Sequence, residues 1–208
     1  MFRDPLFAPN KKRGDRYSRL SPCPSHSDFQ LIPSSFSTSS INMSISEIYP
    51  VYKVKLKLAC QDPDMPSPRY HTILFVQTNA QGPCSGMKHH VTGDIVTGMH
   101  YEPATYDDPE TDENFFSKEL IGHTRALNYP KNWHDVLKSI PAPGKQKAFN
   151  KVTMKTEPIK SWDPVTFYEP GEPRRPLVKC TEWIEDQAIP ILIHAGLIQW
   201  RHARIAGA

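Results

Sequence analysis

Pro176-Leu-Val-Lys-Cys-Thr-Glu-Trp-Ile-Glu-Asp-Gln-Ala188 is the stretch on which the fold reading turns, because it sets a thiol, Cys180, where an extended segment gives way to an amphipathic helix. Trp183, Ile184, Ala188 and Ile191 recur at three- to four-residue steps, the period of a helix with one buried stripe. Cys180 then falls in the first turn, where backbone N–H groups lack intrahelical partners and the positive end of the helix dipole favours an anion. The thiolate is the nucleophilic form of cysteine, so the position marks a candidate nucleophile. The competing reading makes Cys180 a small buried apolar group, as core cysteines commonly are. Downstream, Pro190 is expected to kink or break the helix before Ile191-Leu-Ile-His-Ala195, with Gly196 as its C-terminal cap.

Upstream, the period changes from helical to two. Tyr52-Lys-Val-Lys-Leu-Lys-Leu58 alternates strictly with three lysines on one side, which predicts a half-buried strand at a sheet edge. Tyr70-His-Thr-Ile-Leu-Phe-Val76 is apolar on both parities apart from His71 and Thr72, as a central strand would be. Met87 to Thr92, Gly98 to Glu102 and Phe115 to His123 follow at the spacing of an antiparallel meander. Asn128 to Ile140 reads as a helix, with Pro130 in its first turn and Trp133, Val136, Leu137 and Ile140 in one stripe. Residues 145–175, with prolines at 158, 164, 170 and 173 and little periodicity, read as a long loop ordered by contact, the kind of segment that often acts as a functional lid.

These elements define an α+β domain over residues 48–200, with an antiparallel sheet of four to six strands, two or three helices and a long 141–175 loop. The polar, proline-containing residues 1–45 are expected to be a disordered tail, and residues 201–208 a second short tail. Six of the 25 Lys/Arg and three of the 22 Asp/Glu lie in residues 1–42, so the remaining chain carries 19 charges of each sign. That balance lacks the concentrated basic footprint of a nucleic-acid binder. Cys23, Cys60, Cys84 and Cys180 form no CxxC pair, which argues against a zinc ribbon or a disulfide framework and for a reducing compartment. With no apolar run of bilayer length and no charged-then-apolar leader, a cytoplasmic protein without a membrane span is expected.

The order of a histidine on a central strand, an antiparallel meander and a cysteine opening a late helix resembles the circularly permuted branch of the papain-like superfamily. That branch includes the PPPDE peptidases, the lecithin retinol acyltransferase-like group and relatives of NlpC-type peptidases. The residues that carry the likeness are Tyr70-His71-Thr72 with Ile73 to Val76, the Gly86 to Gly93 strand, and Lys179-Cys180-Thr181-Glu182-Trp183. The span from about Val51 to Gly196 is more closely similar to an uncharacterised fungal family with the same three segments. The resemblance implies a cysteine-dependent hydrolase or acyl/peptidyl transferase with Cys180 as nucleophile, His71 as general base and His90, or else His89, orienting the imidazole. The substrate would be a peptide or acyl group of unknown identity. The alternative is a catalytically inactive accessory or binding protein of the same fold, serving for instance in a fungal biosynthetic pathway. Two features depart from active relatives: Lys179 stands where an asparagine usually precedes the cysteine, and 109 positions separate His71 from Cys180, more than usual.

His89, His90, His100 and Cys84 also invite a metal reading. Neighbouring strand residues point to opposite faces, so at most one of His89 and His90 could join a common ligand set, and no metal or cofactor is expected. No carboxylate pair stands out for glycosidic chemistry, and the lysine-lined edge favours a monomer.

Overall fold

The computed structural model describes residues 47–199, so the tails expected at 1–45 and 201–208 lie outside the described residues. Five strands, β1 (Ile48–Lys57), β2 (Tyr70–Gln77), β3 (Gly86–Asp94), β4 (Gly98–Tyr106) and β5 (Phe115–Arg125), form one sheet in the order β4-β3-β2-β1-β5. Every pairing is antiparallel. The first four strands meander, and β5 then returns to the far side of β1. The architecture is therefore α+β with an antiparallel sheet inside the expected range of strands.

Placing β1 at an edge was the wrong inference from its lysines, because β1 lies between β2 and β5. Lys53 reaches Glu119 (3.0 Å) and Glu185 (3.2 Å), and Lys55 also meets Glu185 (3.4 Å). Long stems cover the sheet while the ammonium groups find carboxylates at its border, so the lysine row does not deter a neighbouring strand.

Alternation along the strands creates two unlike faces. Val51, Leu74, Val76 and Val91 point into the larger core with Trp133, Leu137, Trp183, Ile184, Ala188 and Leu192. Val54, Ile73 and Phe75 form a smaller cluster on the other face, flanked by Tyr52, Leu56, Tyr106 and Phe115. Two helical segments cover the first face. Helix α1 (Lys131–Ser139) inserts the fully buried Trp133 and Leu137. Burying one such side chain contributes about 1.5–3 kcal/mol.

The second segment opens as α2 (Cys180–Glu182), widens into a π-helical stretch over Trp183–Ala188 and closes as α3 (Ile189–His194). Pro190 does not interrupt this path as expected. It occupies the opening turn of α3, directly after the π stretch, where a missing backbone N–H is tolerated. Gly196 does close the helix, at φ +69°, with its N–H donating to the Ile193 carbonyl (2.9 Å). Beyond it, Leu197 and Ile198 return to the core and Gln199 exchanges two 2.9 Å backbone hydrogen bonds with His123 of β5.

The supposed loop at 141–175 instead contains a second antiparallel sheet, β6 (Lys147–Asn150), β7 (Lys155–Trp162) and β8 (Val165–Phe167), in the order β6-β7-β8. Its hairpins are short and mostly exposed, so neither face imposes the apolar alternation by which strands are recognised.

Candidate functional site

Cys180 is the first residue of α2, where the sequence puts it, and is 6% exposed. Its sulfur belongs to the larger core, and the thiol donates weakly to the Tyr70 carbonyl at 3.7 Å. The next residue, Thr181, meets Thr72 of β2 hydroxyl to hydroxyl at 2.8 Å. Trp183 donates its indole N–H to the Pro141 carbonyl (3.1 Å) and stacks on Tyr101 of β4 at 6.0 Å between ring centroids. The opening of the helix is therefore fixed to β2 by polar contacts and to β4 by an aromatic one.

Charged side chains complete the frame. Glu182 accepts two hydrogen bonds from the Arg69 guanidinium (2.5 and 2.7 Å) and one from the Lys179 backbone N–H (2.9 Å). Burial opposes ionisation of Glu182, but the Arg69 and backbone hydrogen bonds outweigh it and hold the carboxyl below its ordinary range. Asp62, on the segment between β1 and β2, accepts from Lys147 Nζ (2.6 Å) and Lys179 Nζ (2.9 Å). Lys147 also meets Asp64 (2.7 Å). Desolvation again opposes ionisation, yet the two lysines hold Asp62 down to about 2. Gln61 clasps Arg69 through both ends of its amide, accepting from the Arg69 N–H (2.8 Å) and donating to the Arg69 carbonyl (3.1 Å). Asp62, Arg69, Tyr70 and Lys179 line a cavity of only about 30 Å³ beside Cys180, with Cys60 also on its wall.

The histidines are distributed differently from the arrangement the resemblance implies. His71 pairs with Leu56 and shares the face of Ile73 and Phe75, opposite the face on which Cys180 packs. Its Nε2 lies 2.8 Å from Nδ1 of His90, so the structure brings His71 and His90 together and Cys180 to neither. Burial first, and then the Lys88 charge, hold His71 below its ordinary pKa. Burial, His71 and Lys88 push His90 down to about 4.

His89 points the other way, into the larger core, and is fully buried. Its Nδ1 is 2.7 Å from the Tyr101 hydroxyl and its Nε2 2.9 Å from the Tyr129 hydroxyl, one nitrogen donating and the other accepting in the neutral ring. Burial, followed by the charges of His134 and His90, lowers it to about 3. The neighbours His89 and His90 thus serve opposite faces, as strand alternation requires. Among the described residues no group of three His, Cys, Asp or Glu side chains is arranged to hold a metal ion. Cys60 and Cys180 are free thiols, whereas Cys84 is disulfide-bonded, against the expectation drawn from cysteine spacing.

Sequence reasoning missed Arg69 and Asp62 as neighbours of the cysteine and Thr72 as the β2 residue that meets the helix opening. Thr72 carried the one available signal, a hydroxyl on the opposite parity from His71 within the same strand. Arg69 and Asp62 lie in an aperiodic, proline-rich segment that offers none.

The chain belongs to a family of unknown function, DUF6540, whose model matches residues 58–199. No curated protein and no solved structure matches the chain significantly. Among the described residues no helix is long and apolar enough to cross a membrane.

Proposed function

We propose that this chain is a binding or accessory protein built on the permuted papain-like plan, in which Cys180 keeps the helix-opening position of a nucleophile without the imidazole that hydrolysis or acyl transfer needs. Support for the plan is the order of elements: a meander, then a late helix that opens at a cysteine and packs on β2. The observation that carries the functional reading is that the β2 side chain meeting the helix opening is Thr72, while His71 is engaged with His90 across the sheet. A thiol–imidazole pair works only when the two groups are within hydrogen-bond reach, directly or through one water. A cysteine-dependent hydrolase or transferase would require His71 to cross to the other face of its own strand.

The test is the rate at which iodoacetamide labels Cys180 as a function of pH, in the intact protein and in His71→Ala, read by peptide mass spectrometry. The binding-protein reading expects superimposable profiles. A reactive fraction at neutral pH that disappears in His71→Ala would reinstate the hydrolase or transferase reading.

A further inference from the structure

We propose that the groove between β4 and the end of α1 binds a small amphipathic monoanion, a hydrocarbon or ring body bearing one carboxylate or similar group. This rests on the binding-protein reading and supplies its ligand class. The groove encloses about 660 Å³. Small-molecule sites typically occupy roughly 300–1,000 Å³. Met99, Tyr101, Ile140 and Ala142 give it an apolar lining.

The lining is held before any ligand arrives. The Tyr101 hydroxyl is 2.7 Å from His89 Nδ1, and its ring stacks on Trp183, which is itself tied to the Pro141 carbonyl. A preorganised wall lowers the ordering cost of binding.

Charge selects the ligand's sign. The C-terminal end of a helix ordinarily favours cations, because its last carbonyls lack intrahelical partners. Here two of those carbonyls are engaged, Val136 O by Ser139 Oγ (2.7 Å) and Leu137 O by the Ile140 N–H (3.3 Å), and the Pro141 carbonyl just beyond the helix accepts from Trp183. Asp135, the acid on the groove wall, is neutralised by Lys131 at 2.6 Å. Lys138 therefore brings an exposed ammonium to the wall, with no ion pair among the described residues. His100 and His134 line the same groove, and Nε2 of His134 is buried without a hydrogen-bond partner. Lys131 and Lys138 both act on Asp135, which leaves one positive charge in excess at this end of the groove. Although Glu102 stands 3.7 Å from His100, the His134 imidazole faces no carboxylate so closely among the described residues. That excess above an apolar surface complements an anionic head on an apolar body.

Calorimetric titration of the full chain with octanoate and with octylammonium tests the assignment. Octanoate is expected to bind at least about tenfold more tightly than octylammonium, and Lys138→Glu, a change at an exposed position, is expected to abolish that preference. Ala142→Trp, which fills the groove, is expected to remove octanoate binding altogether. The proposal is overturned if octylammonium binds as well as octanoate, if Lys138→Glu leaves octanoate binding unchanged, or if octanoate shows no saturable binding. Those outcomes are separate from Cys180 labelling: a His71-dependent thiol overturns the binding-protein reading, whereas a failed octanoate titration with an indifferent thiol overturns the ligand class alone.

Discussion

Thr72 Oγ1 and Thr181 Oγ1 lie 2.8 Å apart, joining the fully buried middle of a sheet to the first turn of the helix that carries Cys180. Leu74 and Val76 continue the face of Thr72, while Ile73 and Phe75 continue that of His71. A single residue of strand parity thus decides which β2 side chain meets the helix opening, and it selects a hydroxyl, which bonds Thr181 while the thiol itself faces the Tyr70 carbonyl.

Removing that hydroxyl without changing shape should cost stability rather than reactivity. Thr72→Val is expected to destabilise the fold by about 1 kcal/mol, the usual net value of one hydrogen bond. The loss stays modest because Thr181 Oγ1 keeps a contact with the Tyr70 carbonyl at 3.4 Å. Urea denaturation of Thr72→Val and Thr72→Ser measures the effect, with the serine variant expected to retain most of the bond.

The strands of the larger sheet were legible because burial on at least one face imposes a period of two on their residues, as in Tyr70 to Val76. The helix at Cys180 was legible for the corresponding reason, since Trp183, Ile184 and Ala188 must all enter one core. Strand order was not legible: nothing local in the Lys53, Lys55 and Lys57 row reveals that Glu119 and Glu185 will neutralise two of its members from distant segments. The small second sheet escaped because Phe149, Trp162 and Val165 remain about half exposed and carry no burial signature. At the site, the helix-opening position of Cys180 was readable from the helical period, whereas alternation showed only that His89 and His90 face opposite ways and left both open as the neighbour of His71, which is His90. The expected pairing of Cys180 with His71 does not form because Thr72, not His71, has the parity of the helix-covered face.

Asp62 is the hub that attaches the β1–β2 segment to both β6 and the helix opening, through Lys147 and Lys179. The Lys147 side chain is 7% exposed and that of Asp62 13% exposed, so the pair is largely withdrawn from solvent. Asp62→Ala leaves Lys147 with Asp64 alone, and a loss of about 2 kcal/mol is expected, below the full value for breaking a buried pair. Lys147→Met, which removes the buried charge itself, is expected to cost less than Asp62→Ala. Denaturant midpoints of the two variants check the order, and a reversal would mean that Asp64 alone satisfies the lysine.

Gly86 opens β3 directly against β2. A Cβ at this position would fall 2.1 Å from the Val76 carbonyl oxygen and 2.9 Å from Gln77 Cα, both of them backbone and unable to rotate away. Gly86→Ala should therefore unpair the start of β3 and destabilise the protein by several kcal/mol, of the order seen for severe overpacking. Gly144, which has open space at its Cβ position, provides the control, and Gly144→Ala is expected to leave the melting temperature nearly unchanged. Parallel thermal melts of the two variants make the comparison.

Acid should unfold this protein through its histidines before its carboxylates. Burial, with the charges of His134 and His90, holds His89 at about 3, and burial, with His71 and Lys88, holds His90 at about 4. An unfolded histidine ionises near about 6.5, so below that pH the unfolded chain binds protons that the folded chain refuses. Stability from these two groups is accordingly complete at neutral pH and declines as pH falls from about 6.5 toward 4, by about 1.4 kcal/mol per pH unit for each histidine fully titrated in the unfolded state. Asp62, held at about 2 by Lys147 and Lys179 against its own desolvation, adds its loss only once pH falls below the ordinary carboxylate value of about 4. Urea unfolding free energies measured from neutral pH down to about pH 4.5 should therefore fall with a limiting slope of about two protons, or more as His71 contributes. His90→Gln should lower that slope by about one proton while leaving the His89 share in place. A stability that stays level across this interval would mean that both rings accept protons in the folded state, and that the Tyr101–His89–Tyr129 bridge opens without cost.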